Sequence, residues 1–116
     1  MKPHFAHNAL LSFAFVVATF SFSGGAFAFD EEAVKALTKK NDCTKCHAAD
    51  KDKKGPSYKK IAAKYKGKAD AEEKVTKSIT TGPKVKSADG TEEDHKIINT
   101  KDAKEIKNLV QWILAQ

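Results

Sequence analysis

Cys43-Thr44-Lys45-Cys46-His47 places two cysteines three positions apart and a histidine directly after them. At this spacing each thiol can add to one vinyl group on the edge of a porphyrin, and the adjacent imidazole can bind the iron. The motif therefore predicts covalent attachment of one haem c through Cys43 and Cys46, with His47 as the proximal iron ligand.

Two other kinds of site contain a cysteine pair at this spacing. A thiol–disulfide oxidoreductase needs a βαβ unit around its cysteine pair, and the sequence pattern of this chain does not predict one. A zinc site needs four ligands, and beyond residues 1–28 only four side chains could supply sulfur or imidazole donors: Cys43, Cys46, His47 and His95. The adjacent Cys46 and His47 would form an awkward tetrahedral chelate, so haem attachment is favoured.

Residues 1–28 have the pattern of a secretory signal peptide. Lys2 gives a positive start, a mainly apolar run covers residues 9–22, and Ala26-Phe27-Ala28 is a small-x-small cleavage site. The apolar run is shorter than the roughly 20 residues that span a bilayer, and no cysteine lies near the cleavage site, so neither a membrane anchor nor a lipoprotein is indicated. We expect residues 29–116 to be exported to the bacterial periplasm as one small domain.

The net charge of the chain is +6, and every basic residue is a lysine. Without arginine, bidentate recognition of bases or phosphates is not expected, and few aromatic residues lie between the scattered lysines, so no nucleic-acid surface is predicted. Lysines around a cofactor edge would suit an acidic docking face on a redox partner protein. The same lysines would also be explained by solubility alone.

Helical periodicity dominates residues 29–116, and no segment alternates as a strand. Four helices are predicted: Glu31 to about Lys40 with Asp30 as its N-cap, Ser57 to Gly67, a helix from an Asp70/Glu73 capping box to Gly82, and a last helix opened by Thr100. Residues 48–54 and 82–99 lack a clear period and are predicted as loops. Aromatic residues are sparse beyond residue 28, so we expect a haem to complete the core.

The order of these features is similar to that of short bacterial class I cytochromes c. The resemblance covers essentially all of residues 29–116 and rests on C-T-K-C-H, on Gly55-Pro56-Ser57-Tyr58 and the helix after it, and on a final helix ending Gln111-Trp112-Ile113-Leu114. It implies an all-α fold of about four helices around one haem c, with the first and last helices crossing near the haem and Trp112 at the crossing. It also implies that the carbonyl group of Pro56 orients His47.

The chain departs from that family in the loop before the last helix, where its members usually carry a methionine followed by prolines. That methionine is the sixth ligand of the iron. Here the only methionine is Met1, and the corresponding segment contains His95, the one imidazole of residues 29–116 besides His47. The resemblance therefore implies His47/His95 coordination of the iron, with a lysine ligand or a vacant position as the alternatives.

Two imidazole ligands would leave no room for a substrate on the iron and would support ferric iron more than a thioether does. We therefore expect an exported one-electron carrier, not an enzyme, with a low-spin, low-potential haem. Two alternatives stay open: a gas-binding or sensing haem protein in which His95 is displaceable, and a haem subunit of a larger redox complex. The carrier would be a monomer or a weak dimer.

Overall fold

The structure, a computed structural model, describes residues 28–116, so nearly all of the predicted signal peptide (1–28) lies outside the described residues. The described elements are, in chain order, α1 (Glu31–Lys40), α2 (Cys43–Cys46), α3 (Tyr58–Tyr65), α4 (Ala71–Thr81), β1 (Lys84–Lys86), β2 (Glu92–Asp94) and α5 (Ala103–Leu114). Within this part of the chain, none of the helices has both the length and the apolar character needed to cross a membrane.

Helix α1 begins and ends where the sequence predicts. The side chain of Asp30 accepts a hydrogen bond from the backbone N–H of Ala33, which satisfies one of the free donors of the first turn. Acidic residues occupy the first turn and lysines the last, as the helix dipole favours. Helix α3 likewise starts after its predicted cap, since Ser57 Oγ accepts from the N–H of Lys60.

The starts of the other two long helices differ from the prediction. At α4 the predicted capping box does not form, because the side chain of Asp70 makes no cap hydrogen bond and pairs instead with Lys74 at 2.8 Å. At α5 the cap is Asp102 and not Thr100. The hydroxyl group of Thr100 accepts from the N–H of Asp102 and donates to Glu105, so Thr100 supports the cap from outside the helix.

The predicted loop 82–99 contains an antiparallel hairpin, so the expectation that no segment forms a strand was wrong. Strands β1 and β2 pair Lys84 with Asp94 in register, and the two side chains form an ion pair at 2.9 Å. The connecting turn contains Asp89-Gly90, with Gly90 at φ +86°. Opposite charges on facing strands and a turn of this kind stabilise a hairpin without the apolar alternation of a buried strand.

Helix α5 is the centre of the core, since α1, α3 and α4 all pack against it. At one end of α1, the side chain of Asn108 in α5 bonds to both backbone groups of Asp30. The buried apolar cluster consists of Val34, Leu37, Tyr58, Val75, Ile98, Leu109, Val110 and Ile113. The predicted all-α fold is confirmed as a mostly helical one, with five helices among residues 28–116, the shortest being the α2 turn within the cysteine motif.

Candidate cofactor site

A cleft of about 510 Å³ opens between the cysteine motif, α3, α4 and the segment around His95. Its volume falls within the range of small-molecule and cofactor sites. All five residues that the sequence singled out line this cleft: Cys43, Cys46, His47, Pro56 and His95. Core side chains such as Val75 and Leu109 form part of the same wall, so the apolar interior of the fold and the cleft are continuous.

The ring of His47 is oriented by the backbone. Its Nδ1 lies 2.6 Å from the carbonyl oxygen of Pro56, and because a carbonyl oxygen can only accept, Nδ1 carries the proton and Nε2 keeps its lone pair. Burial lowers the pKa of His47, while the hydrogen bond to Pro56 opposes this shift. The ring is thus kept neutral, the state in which an imidazole binds a metal.

The loop after His47 is mostly exposed, but several hydrogen bonds hold it in place. The N–H of His47 donates to the carbonyl group of Cys43 at 2.9 Å, and the N–H of Tyr58 donates to that of Ala48 at 2.9 Å. The side chain of Asp52 accepts from the N–H of Ser57 at 2.9 Å. These bonds hold the loop against both α2 and α3, so the position of the Pro56 carbonyl group is fixed from either side.

Gly55 makes room for the His47 ring, a role that the sequence alone did not reveal. A Cβ atom built on Gly55 would lie 2.6 Å from Cε1 and 3.1 Å from Nδ1 of His47. Contacts of 2.6 Å are shorter than packed carbon atoms tolerate. The Gly55-Pro56 pair therefore positions His47 in two ways. Gly55 leaves space for the ring, and the carbonyl oxygen of Pro56 accepts a hydrogen bond from its Nδ1–H.

The ring of His95 faces that of His47 across the cleft, with ring centroids 6.1 Å apart and planes 40° from parallel. Its Nδ1 lies 3.0 Å from the carbonyl oxygen of Lys96, so by the same reasoning Nε2 keeps its lone pair. Metal–imidazole bonds of about 2 Å on each side, added to the distance from nitrogen to ring centre, give a centroid separation of roughly 6 Å. The observed separation of 6.1 Å matches the one that a metal ion bound to both rings would need.

The segment that carries His95 is fastened to the chain around the cysteine motif. Lys96 pairs with Asp42 at 2.8 Å, and Glu93 pairs with Lys54 at 2.6 Å. Each ion pair joins a residue near His95 to one near the cysteine motif or the Gly55-Pro56 pair. Together these ion pairs link the two sides of the cleft. Because their partners are far apart in the sequence, no local sequence pattern could indicate them.

The two other kinds of cysteine site find no support in the described residues. Among residues 28–116 no group of three or more His, Cys, Asp or Glu side chains could hold a metal ion, so the four candidate zinc ligands do not converge. The sheet in this part of the chain has two antiparallel strands, which is not the βαβ surround of a thiol–disulfide oxidoreductase.

Fold and site together define a class of protein: a small helical domain with a cofactor cleft built on C-x-x-C-H. The family described as Cytochrome c matches residues 31–116. The chain belongs to the cytochrome c family.

Within that family, the chain is homologous to small bacterial class I cytochromes. It is 41% identical over 83 residues to cytochrome c-551 of Pseudomonas aeruginosa, an alignment that covers 71% of this chain and 70% of the relative. It is similar in structure to class 1 cytochrome MtoD from Sideroxydans lithotrophicus ES-1, with 56% identity and a TM-score of 0.72 over 76% of this chain and 97% of that one. Wild-type cytochrome c552 of Nitrosomonas europaea gives 31% identity and a TM-score of 0.54, with 69% and 95% covered.

Membership of this family gives the cofactor and the kind of activity. Haem c is held covalently by a pair of cysteines, which in this chain are Cys43 and Cys46. The relatives are electron carriers and not enzymes. The residues present fit the group, because both thiols and both imidazoles line one largely apolar cleft.

Proposed function

We propose that this protein is a periplasmic one-electron carrier with a single low-potential haem c whose iron is coordinated by His47 and His95. The observation that carries the proposal is the facing pair of imidazole rings, 6.1 Å apart between centroids. When bound, haem c supplies a one-electron couple whose potential is set by its axial ligands.

The two histidines are supported in the same way, which favours both as ligands. Each has an Nδ1 whose partner is a backbone carbonyl group, that of Pro56 for His47 and that of Lys96 for His95. Such bonds fix the tautomer and direction of metal-binding imidazoles in proteins. The alternative of a lysine ligand is less well supported, because three of the five lysines that line the cleft are paired with carboxylates: Lys54, Lys60 and Lys96.

A displaceable His95, as a gas-binding protein would need, is disfavoured by the way its segment is held. The N–H of His95 donates to the carbonyl group of Pro83 at 2.9 Å, and the N–H of Ile98 donates to that of Ile79 at 2.8 Å. These bonds hold the backbone in place, so the whole segment cannot swing away from the iron without breaking them. A carrier that keeps both ligands in both oxidation states needs little rearrangement during electron transfer.

The proposed partners are redox proteins with an acidic docking face. Five lysines line the cleft: Lys54, Lys60, Lys64, Lys86 and Lys96. Lysines around the rim of a site raise the rate of encounter with an acidic partner without making the complex tight, which suits a carrier that must dissociate after each transfer. On this view the protein works as a monomer or a weak dimer, exported by the signal peptide predicted at residues 1–28.

A potentiometric titration of the purified holoprotein and of His95→Met tests the proposal. A thioether supports ferric iron less than imidazole does, so the potential of His95→Met should rise by roughly a tenth of a volt or more, within the range of about 0.8 V that axial ligands span. His4 and His7, which precede the predicted cleavage site, offer no competing ligand in the mature chain. An unchanged potential in His95→Met would mean that His95 is not a ligand.

A further inference from the structure

Gly82 ends α4 in the left-handed conformation, with φ +62°. Glycine is favoured there because it carries no Cβ penalty, and two further glycines, Gly67 and Gly90, share a positive φ. Their surroundings differ sharply. A Cβ atom on Gly67 would meet nothing within 4 Å and one on Gly90 only Lys86 Cε at 3.9 Å, whereas one on Gly82 would lie 2.8 Å from the carbonyl oxygen of His95.

The backbone of the His95 segment is pressed against this end of α4. Besides the His95 carbonyl group, Cγ1 of Ile97 would lie 2.9 Å from a Cβ atom at position 82. Hydrogen bonds lie on either side of the contact, from the N–H of His95 to Pro83 and from the N–H of Ile98 to Ile79. Ile98 is buried in the core, so the segment cannot yield freely in that direction.

We propose that Gly82 is a positioning residue for His95: the missing side chain lets the His95 backbone lie directly on the end of α4, and this contact sets how far the His95 ring reaches toward His47. The inference rests on the proposed coordination by both histidines. A Cβ atom at 2.8 Å must displace the His95 carbonyl group by several tenths of an ångström, while metal–ligand distances vary by only about 0.2 Å. A side chain at position 82 therefore weakens the His95 bond to iron.

Glycine-to-alanine variants of the holoprotein at positions 82, 67 and 90 test this inference. All three place alanine at a positive φ, but only Gly82→Ala adds the contact with His95. The readouts are the rate of carbon monoxide uptake by the ferrous protein and the low-spin signal of the ferric protein. Gly67→Ala and Gly90→Ala should keep the wild-type rate, and Gly82→Ala should bind carbon monoxide about tenfold faster, as the population with His95 detached rises by the same factor.

Asparagine variants at the same positions keep the test decisive if Gly82→Ala fails to fold. Asparagine adopts the left-handed conformation at low cost, so Gly82→Asn keeps the helix end while still adding the Cβ atom. Equal rates in the matched variants at 82, 67 and 90 would overturn the role of Gly82 even with two imidazoles on the wild-type iron. A wild-type protein without two imidazoles would overturn the proposed function, and the role of Gly82 with it.

Discussion

The side chain of Asn41 joins the end of α1 to the segment that carries His95. Its Oδ1 accepts from the N–H of Asn99 at 2.7 Å, and its Nδ2 donates to the carbonyl group of Leu37 at 2.9 Å. Asn41 is only 3% exposed, so water cannot readily take the place of its amide group. Because Cys43 follows two residues later, this bridge holds the cysteine motif and the His95 segment at a fixed spacing.

Asn41→Ala should lower the free energy of unfolding by about 1–3 kcal/mol, since it leaves a backbone donor and acceptor without their side-chain partner. It should also speed carbon monoxide uptake by the ferrous protein, because the His95 segment loses a tether. Denaturant unfolding and stopped-flow absorbance measure the two effects.

Asn108→Ala is the matched control for Asn41→Ala. The Asn108 amide group likewise bonds to backbone groups, accepting from the N–H of Asp30 at 2.8 Å and donating to its carbonyl group at 3.1 Å, but Asn108 does not line the cleft. We expect Asn108→Ala to reduce stability and leave the rate of gas uptake unchanged. Similar rates of carbon monoxide uptake in the two variants would contradict the proposal that Asn41 holds the His95 segment in place.

Gly55→Ala should disturb the proximal side of the site through the 2.6 Å contact between the new Cβ atom and Cε1 of His47. Overpacking of this kind costs about 1–3 kcal/mol, and here the strain acts on the ring that also bonds to Pro56. Lower stability should therefore accompany a shifted potential and a reduced yield of attached haem. A Gly55→Ala protein with wild-type yield, potential and unfolding curve would show that the ring has room to move.

His95→Ala should open the sixth coordination position, since His47 is then the one histidine left in residues 29–116. The ferric protein should gain high-spin character, and the ferrous protein should bind carbon monoxide at once. Imidazole added in solution should fill the position and restore the low-spin spectrum. A spectrum that His95→Ala leaves unchanged would point to another side chain as the ligand.

Haem-free protein should be largely unfolded. Five members of the buried cluster also line the cleft: Tyr58, Val75, Ile98, Leu109 and Ile113. Without haem these apolar side chains face water, and so small a chain has little other surface to bury. Circular dichroism of the protein with both attachment cysteines replaced by alanine should show little helix. A helical spectrum with a cooperative melt would contradict this expectation.

Local sequence signals predicted the positions of α1 and α3 and singled out five residues that line one cleft. Asp30, Ser57 and Gly82 mark helix ends by chemistry that acts within one turn, and C-x-x-C-H carries its own spacing. The hairpin was missed because only Val85 in its two strands is apolar. Its signal is the opposite charge of Lys84–Lys86 and Glu92–Asp94 around Asp89-Gly90, which is not an apolar alternation.

The roles of Asn41 and Gly55 could not be predicted from the sequence, because each depends on a residue outside its local pattern. Asn41 looks like a simple helix stop and Gly55 like loop punctuation, yet one bonds to Asn99 and the other makes room for His47. Capping by Asp70 was wrong because Lys74, one turn later, attracts the same carboxylate. Such competition between two nearby partners for one side chain is decided by the folded geometry.

Electron paramagnetic resonance of the ferric protein, with carbon monoxide added to the ferrous form, tests the central claim most directly. Our account predicts a purely low-spin signal of two imidazole ligands and no rapid uptake of the gas at neutral pH. A high-spin signal, or immediate binding of carbon monoxide by the unaltered protein, would contradict coordination by His47 and His95.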